Sequence, residues 1–487
     1  MFLRRGIITA TTGALLLTSV ACYPADDSNQ LHVAMAQPPT AALSPFSDDA
    51  LLLSRWSVTE TLVTLDSAGE PEASLATDWT HHDSGDWEIE LRTDVRFHDG
   101  TMMDAESVET AITAADEASN KPRVLDGIGL SAEATGEHTL TLSTTGSDPL
   151  LIHRLASPQL AILANSAYSG NGVDPIGAAS GPYRISDSSN SSAQMKRFDD
   201  YWGDDTASMS QFKALYMANP HDRVQALRAS EVDVAEDIPP SELVHLHEGQ
   251  VQDVYAPHNV MLYLNTESGD LEDSGVREAV RESIDVEPII NDVFEGHADE
   301  AEGIFGPAVL WDSEAEPDFD DAASIDGESI DLATYSDSPE LPEVMSIVEQ
   351  QLESAGFSVG TTVRDYTQIE ADIISGEFDA FLMSRTIVQH SGDPYTFLES
   401  DFSCGGVFNF SQSCSRHTDA LIADIALTEV GEDRLDLIHD VERRVLNSGA
   451  VVPLVHQREL TGIGPNVNDV ASDSQQFQLI TPETNQD

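Results

Sequence analysis

The chain has 487 residues, of which 40% are apolar and 6% aromatic, as is ordinary for a globular protein of two or three domains. Its charge is not ordinary, because 23 lysines and arginines stand against 86 aspartates and glutamates, for a formal net charge of −63. So acidic a surface repels phosphate and disfavours nucleic-acid binding. Because the acids are spread along the whole chain, they favour a strongly hydrated surface suited to a saline or acidic exterior; attraction of cationic ligands is the alternative.

The N-terminus predicts export. Arg4 and Arg5 precede an apolar stretch, 6–21, which is followed by Cys22 and a polar linker, 23–30. A positively charged start and a short apolar stretch are typical of a secretory signal, and the stretch is too short for a lasting membrane span. The twin arginines match the Tat pattern loosely, so the export route stays open between Sec and Tat.

The residues before Cys22 are short, and they resemble a bacterial lipobox: Ser19, Val20 and Ala21. The resemblance implies a signal segment over 1–22 that ends in the lipobox Cys22, with cleavage just before this cysteine. The mature chain would then begin with lipidated Cys22 and be anchored to the cell membrane. An ordinary signal peptide cleaved nearby is the alternative.

After a first predicted strand over 31–35, the segment from Leu75 to Val108 combines strand, turn and helix-cap patterns. Apolar residues alternate from Trp87 to Phe97, which is the period of strands with one buried face. Asp99 and Gly100 then turn the chain. Asp104 occupies an N-cap position, where its carboxylate can accept a bond from a free backbone N–H of the first helical turn.

This segment resembles a motif of the family 5 extracytoplasmic solute-binding proteins of ABC importers, which include peptide-, dipeptide- and nickel-binding proteins. The matching residues are Leu75, Ala76, Trp79, Leu91, Arg92, Val95, Phe97, His98, Asp99 and Gly100. Asp94 replaces the usual glycine, and Asp104 and Ser107 replace the family's Thr and Asp. The resemblance implies that Trp79 and His98 are packing and turn residues and do not contact the ligand.

Further family motifs occur later in the chain, at 180–185 (SGPYRI), 198–203 (FDDYWG), 223–234 (RVQALRASEVDV), 276–284 (VREAVRESI) and 450–456 (AVVPLVH). Periodicity predicts helices over 51–62, 276–284, 341–355, 366–375 and 434–446, and strands over 139–142, 261–265, 330–333, 357–363, 378–383 and 450–456. The acidic segment 311–329 is predicted to be a surface loop. Alternation of helices and strands beyond it predicts an α/β lobe.

The resemblance implies an α/β fold of the periplasmic-binding-protein type: a two-lobed clamshell of type II, in the large class with an extra subdomain. Two crossover strands near 254–264 and 451–456 would join the lobes. We expect lobe I over 31–45, 175–256 and 457–487, its subdomain over 46–174, and lobe II over 257–456.

A loop over 384–394 is the expected ligand marker, because the family's peptide binders carry there an Asp that pairs with the peptide's α-ammonium. In this chain Thr386 and Ile387 fall at the family's Gly-Trp, and His390 falls at the Asp. Neutral imidazole offers one acceptor and imidazolium would repel the ammonium, so Asp393 or another acid would have to take that role. Four further expected ligand contacts are Leu43, Ser44, Tyr263 and Arg385.

Cys404 and Cys414 are expected to form a disulfide, because they close a short loop in a protein exported to an oxidising compartment. They have no C-x-x-C pattern, and His417 alone does not complete a ligand set, so they do not predict a zinc site. We expect no metal and no cofactor.

The expected function is capture of di- or oligopeptides and their delivery to an ABC permease and its ATPase by a monomeric lipoprotein. The alternatives are a nickel or other metal chelate, another small solute such as an anion or a sugar, or a sensor role. We expect no enzyme, although a secreted hydrolase is the alternative of another class. The chain has no G-x-S-x-G, and His245-Leu-His247-Glu248 lacks the H-E-x-x-H spacing that places two imidazoles on one helical face.

Overall fold

A computed structural model describes residues 30–66, 69–82, 84–168, 172–204, 206–247, 249–309, 317–388 and 391–486. The predicted signal peptide, Cys22 and His390 lie outside these residues. Within the described residues, no helix has both the length and the apolar composition that crossing a bilayer would require.

The described strands are β1 (Gln30–Met35), β2 (Val63–Leu65), β3 (Pro71–Ala73), β4 (Ala76–His81), β5 (Trp87–Leu91), β6 (Ser131–Ala134), β7 (Thr139–Ser143), β8 (Tyr183–Ser188), β9 (Ser192–Arg197), β10 (Gln211–Tyr216), β11 (Val234–Ala235), β12 (Val251–Leu264), β13 (Ala298–Glu300), β14 (Ser329–Tyr335), β15 (Ser358–Arg364), β16 (Ala380–Thr386), β17 (Val451–Ile463), β18 (Val467–Asn468) and β19 (Asn485–Gln486). The described α-helices are α1 (Asp49–Arg55), α2 (Ala105–Asp116), α3 (Leu151–Arg154), α4 (Pro220–Arg228), α5 (Ser274–Glu282), α6 (Glu340–Ala355), α7 (Tyr366–Ile374), α8 (Tyr395–Phe402), α9 (Arg416–Ile425) and α10 (Glu432–Asn447).

One eleven-stranded sheet runs through the molecule in the order β15-β14-β16-β12-β17-β11-β1-β10-β9-β8, with β13 paired to β17 off this path. The long antiparallel strands β12 and β17 form its middle, and their pairing is interrupted between Tyr255 and Asn259. Pro257 lies in this interruption. We call residues 30–256 with 457–486 the first lobe, and residues 257–456 the second lobe.

The second lobe has helices on both faces of its sheet. Val260, Leu262 and Leu264 of β12 pack into a core with α5 and α6. Met261 and Tyr263 face the opposite way, into a core with α7, α8, α9 and α10. This alternation follows from the two-residue repeat of a strand. It places one layer of helices on each face of the sheet, which gives the three-layer α/β arrangement of this lobe.

The first lobe joins its part of the large sheet to a smaller antiparallel sheet of order β4-β5-β7-β6, and both share one extensive core. The predicted N-cap is confirmed. Asp104 accepts the backbone N–H of Ser107 at 2.9 Å, and the Ser107 hydroxyl accepts the backbone N–H of Asp104 at 3.0 Å, so α2 begins with a complete capping box.

The predicted helix over 51–62 is wrong in its second half, because α1 ends at Arg55. Ser57 has a positive φ of 48°, outside the right-handed helical region, and residues 58–62 are not helical. The backbone carbonyl of Val58 then accepts the N–H of Gly181 at 3.0 Å. This tertiary contact overrides the local helical pattern and brings residues 59–61 to a cavity.

Candidate functional site

A cavity of roughly 690 Å³ lies where three parts of the molecule meet. One wall comes from the segment around β2 and β3, and a second comes from 472–483 near the C-terminus. Val254 and Tyr255 of crossover strand β12 form part of the third wall, and Pro307 contributes from the second lobe. The cavity therefore adjoins the crossover between the lobes, where a change in their relative position would alter its shape.

The wall of this cavity is acidic. Its described lining residues include Glu60, Asp66, Asp473 and Glu483, and they include no lysine, arginine or histidine. Serines, threonines and the aromatic rings of Tyr201, Trp202, Tyr255 and Phe477 complete much of the remaining surface. Such a wall favours a ligand with a positive group and with donors for hydrogen bonds.

Glu60 is held in place by three donors. Its carboxylate accepts hydrogen bonds from the hydroxyl of Ser180 at 2.6 Å, the phenol of Tyr201 at 2.9 Å and the indole N–H of Trp202 at 3.0 Å. Burial raises the pKa of Glu60, and these three bonds oppose the increase. This carboxylate thus fixes the aromatic side of the wall and has little capacity left for a ligand.

Glycine is required beside Glu60. A Cβ on Gly181 would lie 2.4 Å from the carbonyl oxygen of Ser57. The G-P-Y motif therefore keeps the chain close enough for the neighbouring Ser180 to reach Glu60, and the Y-W-G motif supplies the other two donors. Two family motifs that are separated in sequence meet here as one wall of the cavity.

The C-terminal wall offers a different set of groups. Asp473 accepts the backbone N–H groups of Gln475, Phe477 and Gln478 at 2.9, 2.8 and 3.0 Å, which folds this segment into a tight turn. Gln475 is 9% exposed, and its side-chain oxygen is buried without a hydrogen-bond partner. The Asp473 carboxylate therefore shapes this wall, while the side-chain oxygen of Gln475 is enclosed within the protein.

A second acidic cluster adjoins the cavity. Arg55 donates to Glu236 at 3.1 Å, and burial raises the pKa of Glu236. Burial raises the pKa of Glu459 to about 7, with repulsion from Asp237 adding to the effect and Arg55 opposing it. Glu459 therefore holds its proton at pH values where an exposed carboxyl has released it.

The expected contacts after the first strand lie away from the lining of this cavity. Leu43 is 2% exposed, has a positive φ of 64°, and donates its backbone N–H to Asp49 at 2.9 Å. The Ser44 hydroxyl accepts the N–H of Phe46 at 3.3 Å. In this arrangement both residues contribute to the turn that leads into α1.

Two expected contacts of the second lobe are joined through one carboxylate. Arg385 forms a two-point ion pair with Asp401, with N–O distances of 2.8 and 2.5 Å. Tyr263 donates to the same Asp401 at 3.2 Å from within the second-lobe core. The guanidinium and the phenol are therefore both engaged inside the protein.

The marker loop is likewise occupied by internal contacts. Thr386 pairs with His258 at the end of β16, and Ile387 is buried with its N–H bonded to the carbonyl of Pro257 at 2.9 Å. Asp393 is 2% exposed and forms a two-point ion pair with Arg434 at 2.8 and 2.9 Å. His390, the residue at the family's ammonium-binding position, lies outside the described residues.

The loop nevertheless reaches the first lobe close to the cavity. A Cβ on Gly392 would lie 2.7 Å from Cδ1 of Leu65, which lines the cavity. His81 and Glu429 form a second contact between the lobes, with 3.6 Å between Nδ1 and Oε1. The structure thus has the lobes in contact, with the marker loop placed beside one end of the cavity.

Sequence reasoning missed the cavity wall over 472–483, because this segment has no family motif and an unremarkable polar composition. Glu60 could have been found from the sequence, because an acid next to the apolar residues Leu62 and Val63 is a candidate for a buried carboxylate. The expected disulfide is present: Cys404 and Cys414 are bonded between α8 and α9.

Comparison with known proteins places the chain among binding proteins. The profile described as "Bacterial extracellular solute-binding proteins, family 5 Middle" matches residues 70–409. The chain is 22% identical over 418 residues to the nickel-binding protein NikA of Staphylococcus aureus, covering 82% of this chain and 83% of that protein. It is 22% identical over 487 residues to the glutathione-binding protein GsiB of Salmonella paratyphi A, covering 92% and 94%.

Among solved structures, the fold is similar to that of the periplasmic binding protein DppA from Helicobacter pylori in complex with the peptide STSA. The TM-score is 0.73 at 17% identity, and the match covers 94% of this chain and 98% of that chain. At this identity the likeness shows the two-lobed fold and carries no information on the ligand.

Proposed function

The chain belongs to the family 5 bacterial extracellular solute-binding proteins, and we propose that within this family it captures short peptides through their α-ammonium group. Members of the family are extracytoplasmic, bind small ligands and work with ABC permease and ATPase subunits. The observation that carries the proposal is the carboxylate-lined cavity without a basic lining residue in the described chain.

The physical support is the match between this wall and a peptide's N-terminus. An ammonium bonded to a carboxylate gains a charge-assisted hydrogen bond. The aromatic rings of the lining suit apolar side chains of a peptide. A volume of roughly 690 Å³ is within the range of about 300–1,000 Å³ that is usual for small-molecule sites.

We assign the ammonium to Asp66 and Glu483, which both line the cavity, because Asp393 is buried in an ion pair with Arg434. Glu60 and Asp473 each already accept three hydrogen bonds within the protein. The acid lost from the marker loop at His390 is thereby replaced by acids of the first lobe.

Release requires the lobes to separate. The interruption of the β12–β17 pairing around Pro257 is a place where the two strands can bend, because ladder hydrogen bonds are missing there. Opening would remove Gly392 from Leu65 and expose the cavity to the permease.

Lipidation of Cys22 is part of the proposal. It would keep the protein at the membrane, next to the permease. Mass spectrometry of the mature N-terminal peptide should detect the lipid, and Cys22→Ser should release the protein from the membrane; an unlipidated N-terminus in the wild type would contradict the anchor.

The peptide proposal is tested by titration calorimetry with trialanine and N-acetyl-trialanine. Acetylation removes the ammonium charge, so we expect affinity to fall at least about tenfold, which corresponds to about 1.4 kcal/mol. Equal affinity for the two ligands would contradict recognition of the ammonium.

A double variant, Asp66→Asn with Glu483→Gln, locates the recognition. It should weaken trialanine binding by about tenfold or more and leave the acetylated peptide almost unaffected. Glu353→Gln with Glu349→Gln is the matched control, since it removes two charges from α6 in the second lobe. If the control weakens binding equally, total charge and not the wall is responsible.

A metal chelate is the second candidate, because the same acidic wall attracts a cationic complex and NikA is a relative by sequence. A nickel–histidine complex titrated under the same conditions separates the two. Binding of the complex with no binding of trialanine would favour the chelate.

A further inference from the structure

Three side chains that are apart in sequence converge on the surface of the first lobe. His221 is the second residue of α4, and Glu242 and His245 lie in the 3-10 helix Pro240–His245. One ligand atom from each of the three lies within 4.8 Å of the other two. Both elements belong to the same lobe, so this cluster does not depend on the relative position of the lobes.

The carboxylate of Glu242 is central to the cluster. Its Oε2 lies 3.1 Å from Nδ1 of His221 and 4.0 Å from Nε2 of His245. The two imidazole rings are nearly perpendicular, with 5.8 Å between their centroids. Both rings therefore direct a nitrogen toward one carboxylate oxygen.

We propose that His221, Glu242 and His245 bind one divalent transition-metal ion of the Zn²⁺ class. Two imidazoles and one carboxylate are a common ligand set for such an ion, with a water molecule in the fourth position. Two ligands of a tetrahedral zinc ion lie roughly 3.4 Å apart, given bonds of about 2.0–2.2 Å. The observed 3.1 and 4.0 Å lie on either side of this separation, and the two imidazole nitrogens lie within 4.8 Å of each other, so binding would draw the rings together around the ion.

Exposure of the three side chains suits binding from solution. The side chain of Glu242 is 17% exposed, whereas those of His221 and His245 are 51% and 41% exposed. The ion can thus enter directly from solvent, and a net charge of −63 raises the local concentration of cations. Ca²⁺ and Mg²⁺ prefer oxygen ligands and should not compete at this site.

The bound ion would link α4 to the 3-10 helix that precedes crossover strand β12. None of the three residues lines the cavity of the proposed peptide site. The metal proposal is therefore independent of the peptide proposal, and either can fail without the other.

The test is titration calorimetry of the full mature chain, without an affinity tag, using ZnCl₂ in a non-coordinating buffer. We expect one ion per chain, and His221→Ala should weaken Zn²⁺ binding at least tenfold. His247→Ala is the matched control, because it removes an exposed histidine two residues from His245 that lies outside the cluster. Unchanged affinity in His221→Ala, or an equal loss in both variants, would overturn the proposal.

Two further measurements give the same proposal an independent readout. X-ray absorption at the zinc edge should show scattering from two imidazole rings, and spectra with oxygen ligands alone would overturn it. Excess CaCl₂ should leave the Zn²⁺ affinity within a factor of two, whereas full displacement by Ca²⁺ would indicate diffuse binding to surface acids.

Discussion

The marker loop of the second lobe and the cavity wall of the first lobe both carry acids, yet they use them differently. In the loop, Asp393 is buried against Arg434, and nearby Arg385 is bonded to Asp401. In the wall, Asp66 and Glu483 border a cavity without a basic lining residue in the described chain. The difference is that a charge paired with a buried arginine supports the fold, while a charge that lines a cavity can also meet a ligand.

The largest expected effect concerns Asp393→Asn. This change leaves the guanidinium of Arg434, 2% exposed, without its charged partner, so we expect the free energy of unfolding to fall by about 3–5 kcal/mol. Urea denaturation measures it. Asp199→Asn is the control: its carboxylate is 84% exposed beside Arg197, and the loss should be at most about 1 kcal/mol. A stable Asp393→Asn protein that no longer binds peptide would indicate that the marker loop, and not the cavity wall, recognises the ligand.

The next effect concerns the disulfide between Cys404 and Cys414, which supports the second-lobe helices that follow the marker loop. The bond closes a loop with a sequence separation of 10. Replacing both cysteines by serine should lower the free energy of unfolding by about 2–3 kcal/mol, because the unfolded chain gains entropy. If peptide affinity falls while stability is unchanged, the second lobe contributes more to the site than its internal pairing suggests.

The third effect is a pH dependence next to the cavity. The pKa of Glu459 is raised to about 7, so the folded protein holds a proton that the unfolded chain releases above about pH 4.3. Unfolding then releases this proton, and the free energy of unfolding should fall as pH rises from about 4.3 to 7, by roughly 1–3 kcal/mol. Glu459→Gln should reduce this slope in denaturation curves measured at several pH values. Since the pKa of Glu60 and Glu236 is also raised, part of the slope should remain. Identical slopes in wild type and variant would show that Glu459 is ionised in the fold.

The smallest effect on stability is expected for Asp66→Asn with Glu483→Gln. Both amides keep an acceptor for the bonds from Glu70 N–H and Thr481, so the free energy of unfolding should change by less than about 1 kcal/mol. Thermal unfolding measures this change beside the peptide titration. A large loss of stability would show that these two acids support the fold, as the ion-paired acids of the second lobe do. The marker loop and the cavity wall would then not differ in how they use their acids.

Local patterns determined much of the fold. The alternation in β12, the capping box at Asp104 and Ser107, and the family motifs depend on neighbours a few residues away, and they were recovered from the sequence. Helix α1 was overestimated because the contact between Val58 and Gly181 is a long-range one. A pattern over adjacent residues contains no information about a partner more than a hundred positions away.

By itself, the sequence determined the family, the two-lobed α/β fold and the disulfide, because each is encoded in short motifs or nearby residues. Only the tertiary structure decided which acids line the cavity. Asp393 meets Arg434, 41 positions later, and His221 meets Glu242, 21 positions later. The cavity joins residues near β2 to a segment close to the C-terminus. The physical reason is that a carboxylate's role depends on the groups that surround it after folding, and those groups come from distant parts of the chain.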